Sequence, residues 1–152
     1  MSSHCLFPAW GSTTTGGAML NVASLVLAAR LADDPGRAIE IWKQAVNAQD
    51  ALAYDEPPAW YYPIRESLGG ALLRAGNAVE AEGVFRECLR RNARDPRALF
   101  GLMQALKAEQ KLDSAEWVQH EFESSWSNPS LQLHVEDLCN LSRGLRKGRI
   151  HL

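Results

Sequence analysis

Apolar and small residues recur at helical spacing in three stretches of the chain, and each stretch is broken once near its middle. In the central stretch, Leu68, Gly69 and Leu72 share one helical face, and the pair Gly76-Asn77 then interrupts the pattern. The pattern resumes with i, i+3, i+4, i+7 and i+8 spacing, in a stripe formed by Ala81, Val84, Phe85, Cys88 and Leu89. This arrangement predicts two short amphipathic helices that pack as a hairpin.

The central pattern recurs once downstream and once upstream. The counterparts of Leu68, Leu72 and Ala81 each lie 34 positions later, at Leu102, Leu106 and Ala115. The upstream copy surrounds the turn at residues 33–36, and the junction that follows it is roughly nine residues longer than this period requires. The sequence therefore predicts an all-α fold with about three hairpins, at residues 19–49, 62–93 and 96–126.

Helix-terminus signals and composition predict the remaining boundaries. Asp95-Pro96 has the residue types of an N-cap and a first-turn proline, and Pro35 fits the same early position in the first hairpin. An apolar period between residues 131 and 141 predicts a capping helix at residues 130–142, packed against the last repeat. The helical domain would span residues 18–142, with a disordered or loosely attached segment at residues 1–17 and a basic flexible tail at residues 143–152.

The central hairpin resembles the tetratricopeptide repeat, whose pattern is Trp-x2-Leu-Gly-x2-Tyr, then Ala-x3-Phe, then Pro. Leu68-Gly69 and Ala81-x3-Phe85 match it, whereas the Trp, Tyr and Pro positions hold Arg65, Leu72 and Ala93. Residues 49–126, with DEPPAWYYPIRESLG followed by ALLRAG, look like the C-terminal repeat segment of bacterial tetratricopeptide proteins of undefined function, which are typically longer. The resemblance implies a short tetratricopeptide-like solenoid of about three hairpins with a C-terminal capping helix.

Charge and cysteine usage narrow the classes of partner. The net charge of −2 over 152 residues lacks the basic excess of a general nucleic-acid binder. Three widely spaced cysteines are typical of reduced thiols in a cytoplasmic protein. The N-terminus lacks the pattern of a secretory signal, and the longest apolar region, residues 22–32, is too short to span a bilayer. We therefore expect a cytoplasmic protein without nucleic-acid or membrane partners.

The sequence offers little to support catalysis. Two ligand-like clusters stand out, at His120-x-x-Glu123 and His134-x-Glu136, and the second lacks the Pro-Cys-x-x-Cys that a zinc deaminase requires. Neither a phosphate-binding P-loop nor a Gly-x-Ser-x-Gly nucleophile elbow occurs. The chain is predicted to be no enzyme and to hold no metal or cofactor.

The family resemblance implies a concave surface formed by the first helix of each hairpin. The family register assigns partner contacts on this surface to Arg30, Glu66, Arg74, Arg97, Phe100, Gln104 and Lys107. This mixture suits a peptide with apolar anchors and acidic or C-terminal carboxylate groups. The alternative is a solvated face with its normal share of charged residues.

The junction at residues 50–63 concentrates acidic and aromatic residues around Pro57-Pro58, which excludes a regular helix there. Trp60 and Tyr61 would fill the gap left by the missing repeat tryptophan at position 65. Alternatively, they form an exposed ligand cradle, with Asp55 and Glu56 at its rim.

Two hypotheses for function follow. The first is a protein-interaction module or adaptor that binds a peptide or partner protein through the concave face. The second is the C-terminal segment of a larger repeat protein, or a domain that forms homo-oligomers through its open N-terminal hairpin, without independent activity. The second hypothesis rests on outward-facing apolar side chains that water would otherwise contact, at Leu20, Leu27 and Leu31.

Overall fold

The structure is a computed structural model that describes residues 15–53, 58–127 and 132–139. Within these ranges the chain forms helices and no strands, which confirms the predicted all-α class. The helices are α1 Gly16–Leu31, α2 Pro35–Asp50, α3 Ile64–Arg74, α4 Ala78–Arg91, α5 Pro96–Ala108, α6 Leu112–Ser125 and α7 Val135–Cys139. None of these described helices has the length and apolar character needed to cross a membrane.

Helices that are adjacent in the chain are also adjacent in space. Each helix from α1 to α5 packs against the helix that follows it, up to the α5–α6 pair. Helices α3 and α5 also contact each other directly across α4. The first helices of the central and downstream hairpins therefore lie side by side, and they present one continuous face.

Two helices begin at an aspartate followed by a proline. Asp34 Oδ1 accepts a hydrogen bond from the Arg37 backbone N–H at 2.7 Å, and Asp95 Oδ1 accepts one from the Arg97 N–H at 3.0 Å. The predicted cap at Asp95 and the predicted first-turn position of Pro35 are confirmed, and Asp34 is an additional cap that the sequence analysis did not name. Helix α1 is capped by Thr15 and already begins at Gly16, inside the segment that was predicted to lack structure. Residues 1–14 of that segment lie outside the described residues.

Helices α3 and α5 end with the same set of backbone hydrogen bonds, 34 residues apart. The Asn77 N–H donates to the Leu72 carbonyl at 2.9 Å, and the Lys111 N–H donates to the Leu106 carbonyl at 2.9 Å. Each turn contains one residue with positive φ, which is Gly76 at 81° and Gln110 at 62°. The left-handed helix end predicted at Gly76 is therefore confirmed, and the next hairpin reproduces it with a glutamine.

The three central helices meet around the ring of Phe85, which is fully buried. A Cβ atom on Gly69 of α3 would lie 2.4 Å from this ring, and one on Gly101 of α5 would lie 2.2 Å from it. The absence of a side chain at Gly69 and at Gly101 therefore lets α3 and α5 approach the ring closely from both sides.

The junction before α3 is closed by a side chain from α2. Pro63 provides no side-chain cap, so the first turn of α3 needs an acceptor from elsewhere. Gln49 Oε1 accepts a hydrogen bond from the Ile64 backbone N–H at 2.9 Å, and its Nε2 donates to the Tyr62 carbonyl at 2.9 Å. The end of α2 thus fixes where α3 begins.

Helix α7 lies on a different neighbour from the one expected. It packs mainly on α3, with a smaller contact on α5, so the prediction that the capping helix covers the last repeat was wrong about its main partner. The physical reason is that α3 has the small residues Ser67 and Gly70 on this side, so the α7 backbone can pack closely against it. Residues 130–131 and 140–142 of the predicted cap, and the predicted tail at residues 143–152, lie outside the described residues.

Candidate functional site

The candidate site is the face formed by α1, α3 and α5, where the sequence predicted partner contacts. Helix α7 lies over the α3–α5 part of this face. We call the surface that α7 covers the α7 site, and define it by Glu66, Ser67, Gly70 and Arg97. The rest of the face, towards α1, remains uncovered by α7.

The α7 site binds the α7 backbone through side chains of α3. Ser67 Oγ donates a hydrogen bond to the Leu138 carbonyl at 2.9 Å, and the Cys139 thiol donates to the Ser67 carbonyl at 3.5 Å. Leu138 is almost completely buried against the core. A Cβ atom on Gly70 would lie 2.7 Å from Leu138 Cβ, so this close contact requires glycine.

Arg97 joins the buried floor of the α7 site to α7 itself. Its Nε donates to Glu66 Oε2 at 2.5 Å, and its Nη2 donates to the Asp137 carbonyl at 2.7 Å. Glu66 is only 2% exposed. Burial and the nearby Asp95 carboxylate raise the pKa of Glu66 to about 7, although Arg97 acts in the opposite direction. Glu66 and Arg97 therefore contact each other beneath α7, and Glu66 is not available on the surface.

Glu66 also belongs to a buried polar group with Cys88 and Asp95, whose potential ligand atoms lie within 4.8 Å of one another. These atoms already have other partners. Arg97 binds Glu66, and Asp95 caps α5. Burial raises the pKa of the Cys88 thiol to about 12, which disfavours the thiolate that a metal would need. The group is therefore better suited to joining α3, α4 and α5 than to binding a metal.

Arg30 and Arg74 lie beside the α7 site. Both line a cavity of about 310 Å³ between α1, α2, α3 and α7, together with Asp33, Trp42 and Cys139. Arg30 Nη2 donates a hydrogen bond to the Tyr62 hydroxyl at 3.3 Å. Burial raises the pKa of the Cys139 thiol, and the nearby guanidinium of Arg74 partly opposes this effect. Two of the predicted partner-contact residues are thus brought to one cavity.

Besides Arg97, three predicted contact residues lie on α5, and they differ in their accessibility. Phe100 is buried with its ring centroid 5.8 Å from that of Phe122. Gln104 is half-buried, and Lys107 is exposed and donates a hydrogen bond to Gln119 Oε1 at 3.1 Å. Lys107 is therefore the most accessible of these residues, and its amino group is directed to α6.

The aromatic junction is divided between core and surface. Trp60 and Tyr62 pack against the core, whereas Tyr61 is 70% exposed. The rings of Trp60 and Tyr61 lie 5.5 Å apart, and the buried Trp60 Nε1 has no hydrogen-bond partner among the described atoms. Asp55 and Glu56, the proposed rim of a cradle, lie outside the described residues.

Arg65, where the sequence analysis expected a gap for Trp60 and Tyr61 to fill, belongs to a charged pair. Arg65 Nη1 donates to Asp50 Oδ1 at 2.7 Å, and Arg91 Nη1 donates to the same oxygen at 2.9 Å. The two arginines lower the pKa of Asp50, with the hydrogen bond from Arg65 as the largest cause. Sequence analysis missed this network, because Asp50 and Arg65 belong to different helices and share no local pattern.

A second concave surface lies between α4, α5 and α6. This groove of about 560 Å³ has leucines in its floor, with Arg86, Arg90 and Trp117 at its edge. Trp117 is 67% exposed, and it lies off the apolar stripe of α6 formed by Ala115, Val118 and Phe122. That off-stripe position was the available sequence signal for an exposed aromatic residue. Arg86 and Arg90 already bind Glu82 and Glu87 of their own helix.

Comparisons with models of protein families, with curated proteins and with solved structures gave no match for this chain. Function must therefore be argued from the α7 site and the adjoining cavity. Both belong to one face, and both contain side chains that donate hydrogen bonds.

Proposed function

We propose that this chain is a protein-interaction module of the tetratricopeptide type, which binds a peptide segment of a partner protein along the face formed by α1, α3 and α5. The repeat assignment is supported by the matching ends of α3 and α5, whose 34-residue separation equals the period of this repeat class. Further support comes from Phe85, which is enclosed by Gly69 and Gly101 at the point where three helices converge.

The docking of α7 is the observation that carries the proposed binding activity. A short helical segment from a distant part of the chain lies on the α3–α5 face, as a peptide ligand would. Ser67 and Arg97 bind backbone carbonyls of this segment, so these hydrogen bonds do not depend on its side chains. Leu138 supplies a buried apolar anchor. Backbone recognition together with one apolar anchor is the chemistry expected of a peptide-binding groove.

The proposal is tested by offering the α7 segment as a separate peptide. In the full chain, Leu138→Asp should expel α7, because a carboxylate cannot replace a buried leucine. A fluorescent peptide spanning residues 132–142 should then bind this variant saturably, and it should bind the wild-type chain more weakly because α7 occupies the site. Circular dichroism would establish that the variant keeps its helices.

Two matched controls sharpen this experiment. A peptide of scrambled sequence should not bind, and the Leu138→Asp chain with Arg97→Ala should bind the native peptide less tightly, because the Asp137 carbonyl loses its donor. If the helical Leu138→Asp chain binds native and scrambled peptides equally, the proposed site is wrong. A further experiment uses affinity capture. It compares the partners retained by the Leu138→Asp chain with those retained by the same chain carrying Arg74→Glu and Lys107→Glu.

A second candidate function, self-association, is favoured by α1. This helix exposes large apolar side chains, namely Met19, Leu20, Leu27 and Leu31. We propose that a second copy covers them, as an additional hairpin covers the end of a solenoid. Light scattering should then report a dimer that Leu27→Glu converts to a monomer, whereas a wild-type monomer at high concentration would exclude this candidate.

We further propose a cytoplasmic location. Cys88 and Cys139 are both free and buried, which suits a reducing compartment because neither thiol needs a disulfide partner.

A further inference from the structure

We propose that the cavity between α1, α2, α3 and α7 is a carboxylate-binding subsite, in which the guanidinium groups of Arg30 and Arg74 bind the acid. The inference rests on the proposed function in one respect, because it identifies the chemical group that a partner presents beside the α7 site. The cavity of about 310 Å³ is within the range of small-ligand sites. Its volume suits one acidic side chain or a small free acid.

Helix α7 completes this cavity. Cys139 of α7 lines one side, while the buried Trp42 of α2 and Ala71 of α3 line others. A ligand in the cavity would therefore contact α7 in its docked position. Binding of an acid in the cavity therefore does not require α7 to leave.

Arg30 and Arg74 differ from the other predicted cations of the face in the partners that their side chains already have. Arg97 is bound by Glu66, and Lys107 is bound by Gln119. Among the described residues, no carboxylate forms an ion pair with Arg30 or Arg74. A guanidinium has five N–H donors, and Arg30 is seen to use one of them, on the Tyr62 hydroxyl.

The lining favours a carboxylate on an aliphatic stem. Two guanidinium groups supply planar pairs of donors that match the two oxygens of a carboxylate. Trp42 and the neighbouring alanines, Ala29 and Ala71, offer apolar contact to methylene groups. Asp33 also lines the cavity and would repel an acid, but two arginines and one aspartate leave a net charge of +1, which suits a singly charged ligand better than a multiply charged one. A singly charged glutamate side chain or chain terminus meets these conditions.

The test uses the full chain with ¹⁵N-labelled arginine, whose Nε–H resonances report directly on the guanidinium groups. One arm titrates butyrate as a small, singly charged acid, and the other titrates the peptide acetyl-Ala-Leu-Glu-Ala-amide. Butyramide and the corresponding glutamine peptide are the uncharged controls. We expect saturable shifts of the Arg30 and Arg74 resonances with an acidic probe and none with its uncharged control.

Single substitutions then show which arginines bind the acidic probe. Arg30→Gln and Arg74→Gln should each weaken binding of the acidic probe by about tenfold or more, because a charge-assisted pair is lost. Arg37→Gln is the matched control, since Arg37 is an exposed arginine of α2 that does not line the cavity. This variant should bind the acidic probe with wild-type affinity.

The outcomes distinguish an acid on a protein partner from a small free acid, and they test the subsite separately from the α7 site. Binding of the peptide alone identifies the carboxylate as part of a protein partner, whereas binding of butyrate identifies a small-acid site. Equal shifts from charged and uncharged probes, or unchanged affinity in both arginine variants, would overturn the subsite. The peptide of residues 132–142 tests the α7 site without these arginines, so either proposal can fail while the other stands.

Discussion

Gly70 of α3 and Leu138 of α7 are in such close contact that a methyl group on Gly70 would lie 2.7 Å from Leu138 Cβ. The same methyl group would lie 2.8 Å from Cys139 Sγ. The docked position of α7 therefore depends on a residue that has no side chain.

We predict that Gly70→Ala releases α7 and leaves the six longer helices folded. Alanine is favoured over glycine in a helix interior by about 1 kcal/mol, so α3 itself should gain stability while the α7 contact is lost. Cys139 is buried in the docked state and should become reactive towards a thiol reagent, measured at each cysteine by mass spectrometry. Gly83→Ala is the control, because no atom lies within 4 Å of the added Cβ. Slow modification of Cys139 in both variants would contradict the prediction.

A second prediction concerns the ring of Phe85. Gly101→Ala would bring a Cβ to 2.2 Å from the ring, so α4 and α5 must move apart, and the free energy of unfolding should fall by about 1–3 kcal/mol. Gly83→Ala should instead raise it by about 0.5–1 kcal/mol, since glycine and alanine differ there only in helix propensity. Urea denaturation of the three chains measures both effects. Equal stability of the two variants would show that the ring adjusts at no cost.

The raised pKa of Glu66 predicts a contribution to stability that depends on pH. Burial and Asp95 raise the pKa of Glu66 from 4.5 to about 7 in the folded chain, so protonation favours the folded state. The contribution is fully present below pH 4.5 and is lost as the pH rises towards 7. Its size would be up to about 3 kcal/mol.

The measurement that isolates Glu66 is the difference between wild type and Glu66→Gln. Glu82 and Glu87 have pKa values lowered to about 2 by hydrogen bonds from lysine and arginine, so they contribute in the opposite direction at lower pH. Between pH 5 and 7.5 the wild-type stability should fall relative to that of Glu66→Gln. Glu40→Gln, at an exposed position, should keep the wild-type slope. Identical slopes in all three chains would refute the assignment to Glu66.

A fourth prediction concerns the charged pair between Asp50 and Arg65. Asp50→Asn removes the carboxylate from Arg65, whose side chain is only 13% exposed, and leaves a partly buried charge without its counter-ion. We expect the free energy of unfolding to fall by about 1–3 kcal/mol. Removing the exposed pair between Glu40 and Lys43 by Glu40→Gln should leave the free energy of unfolding close to the wild-type value. Thermal denaturation of both variants decides between these expectations.

Local signals in the sequence were sufficient to predict the helical class and several helix ends. Asp34, Asp95 and Gly76 act on neighbouring backbone groups, so residue type and spacing indicate their roles directly. The accessibility of the predicted contact residues could not be obtained in this way. Glu66 and Phe100 fall at inward positions of the repeat register, yet both are buried, because periodicity defines a helix face and does not define which distant segment covers it.

The position of α7 on α3 has a consequence for how the chain unfolds. In an open solenoid each repeat touches its immediate neighbours, so the terminal units can fray independently of the centre. Here Ser67 is hydrogen-bonded to Leu138, 71 residues later. Helices α4, α5 and α6 lie between these two residues in the chain, so this contact closes a loop that contains all three helices. Loss of order at the last hairpin must strain or break this closure. The C-terminal half of the chain should therefore unfold as one cooperative unit, and α7 should join it only after α3 and α5 have assembled.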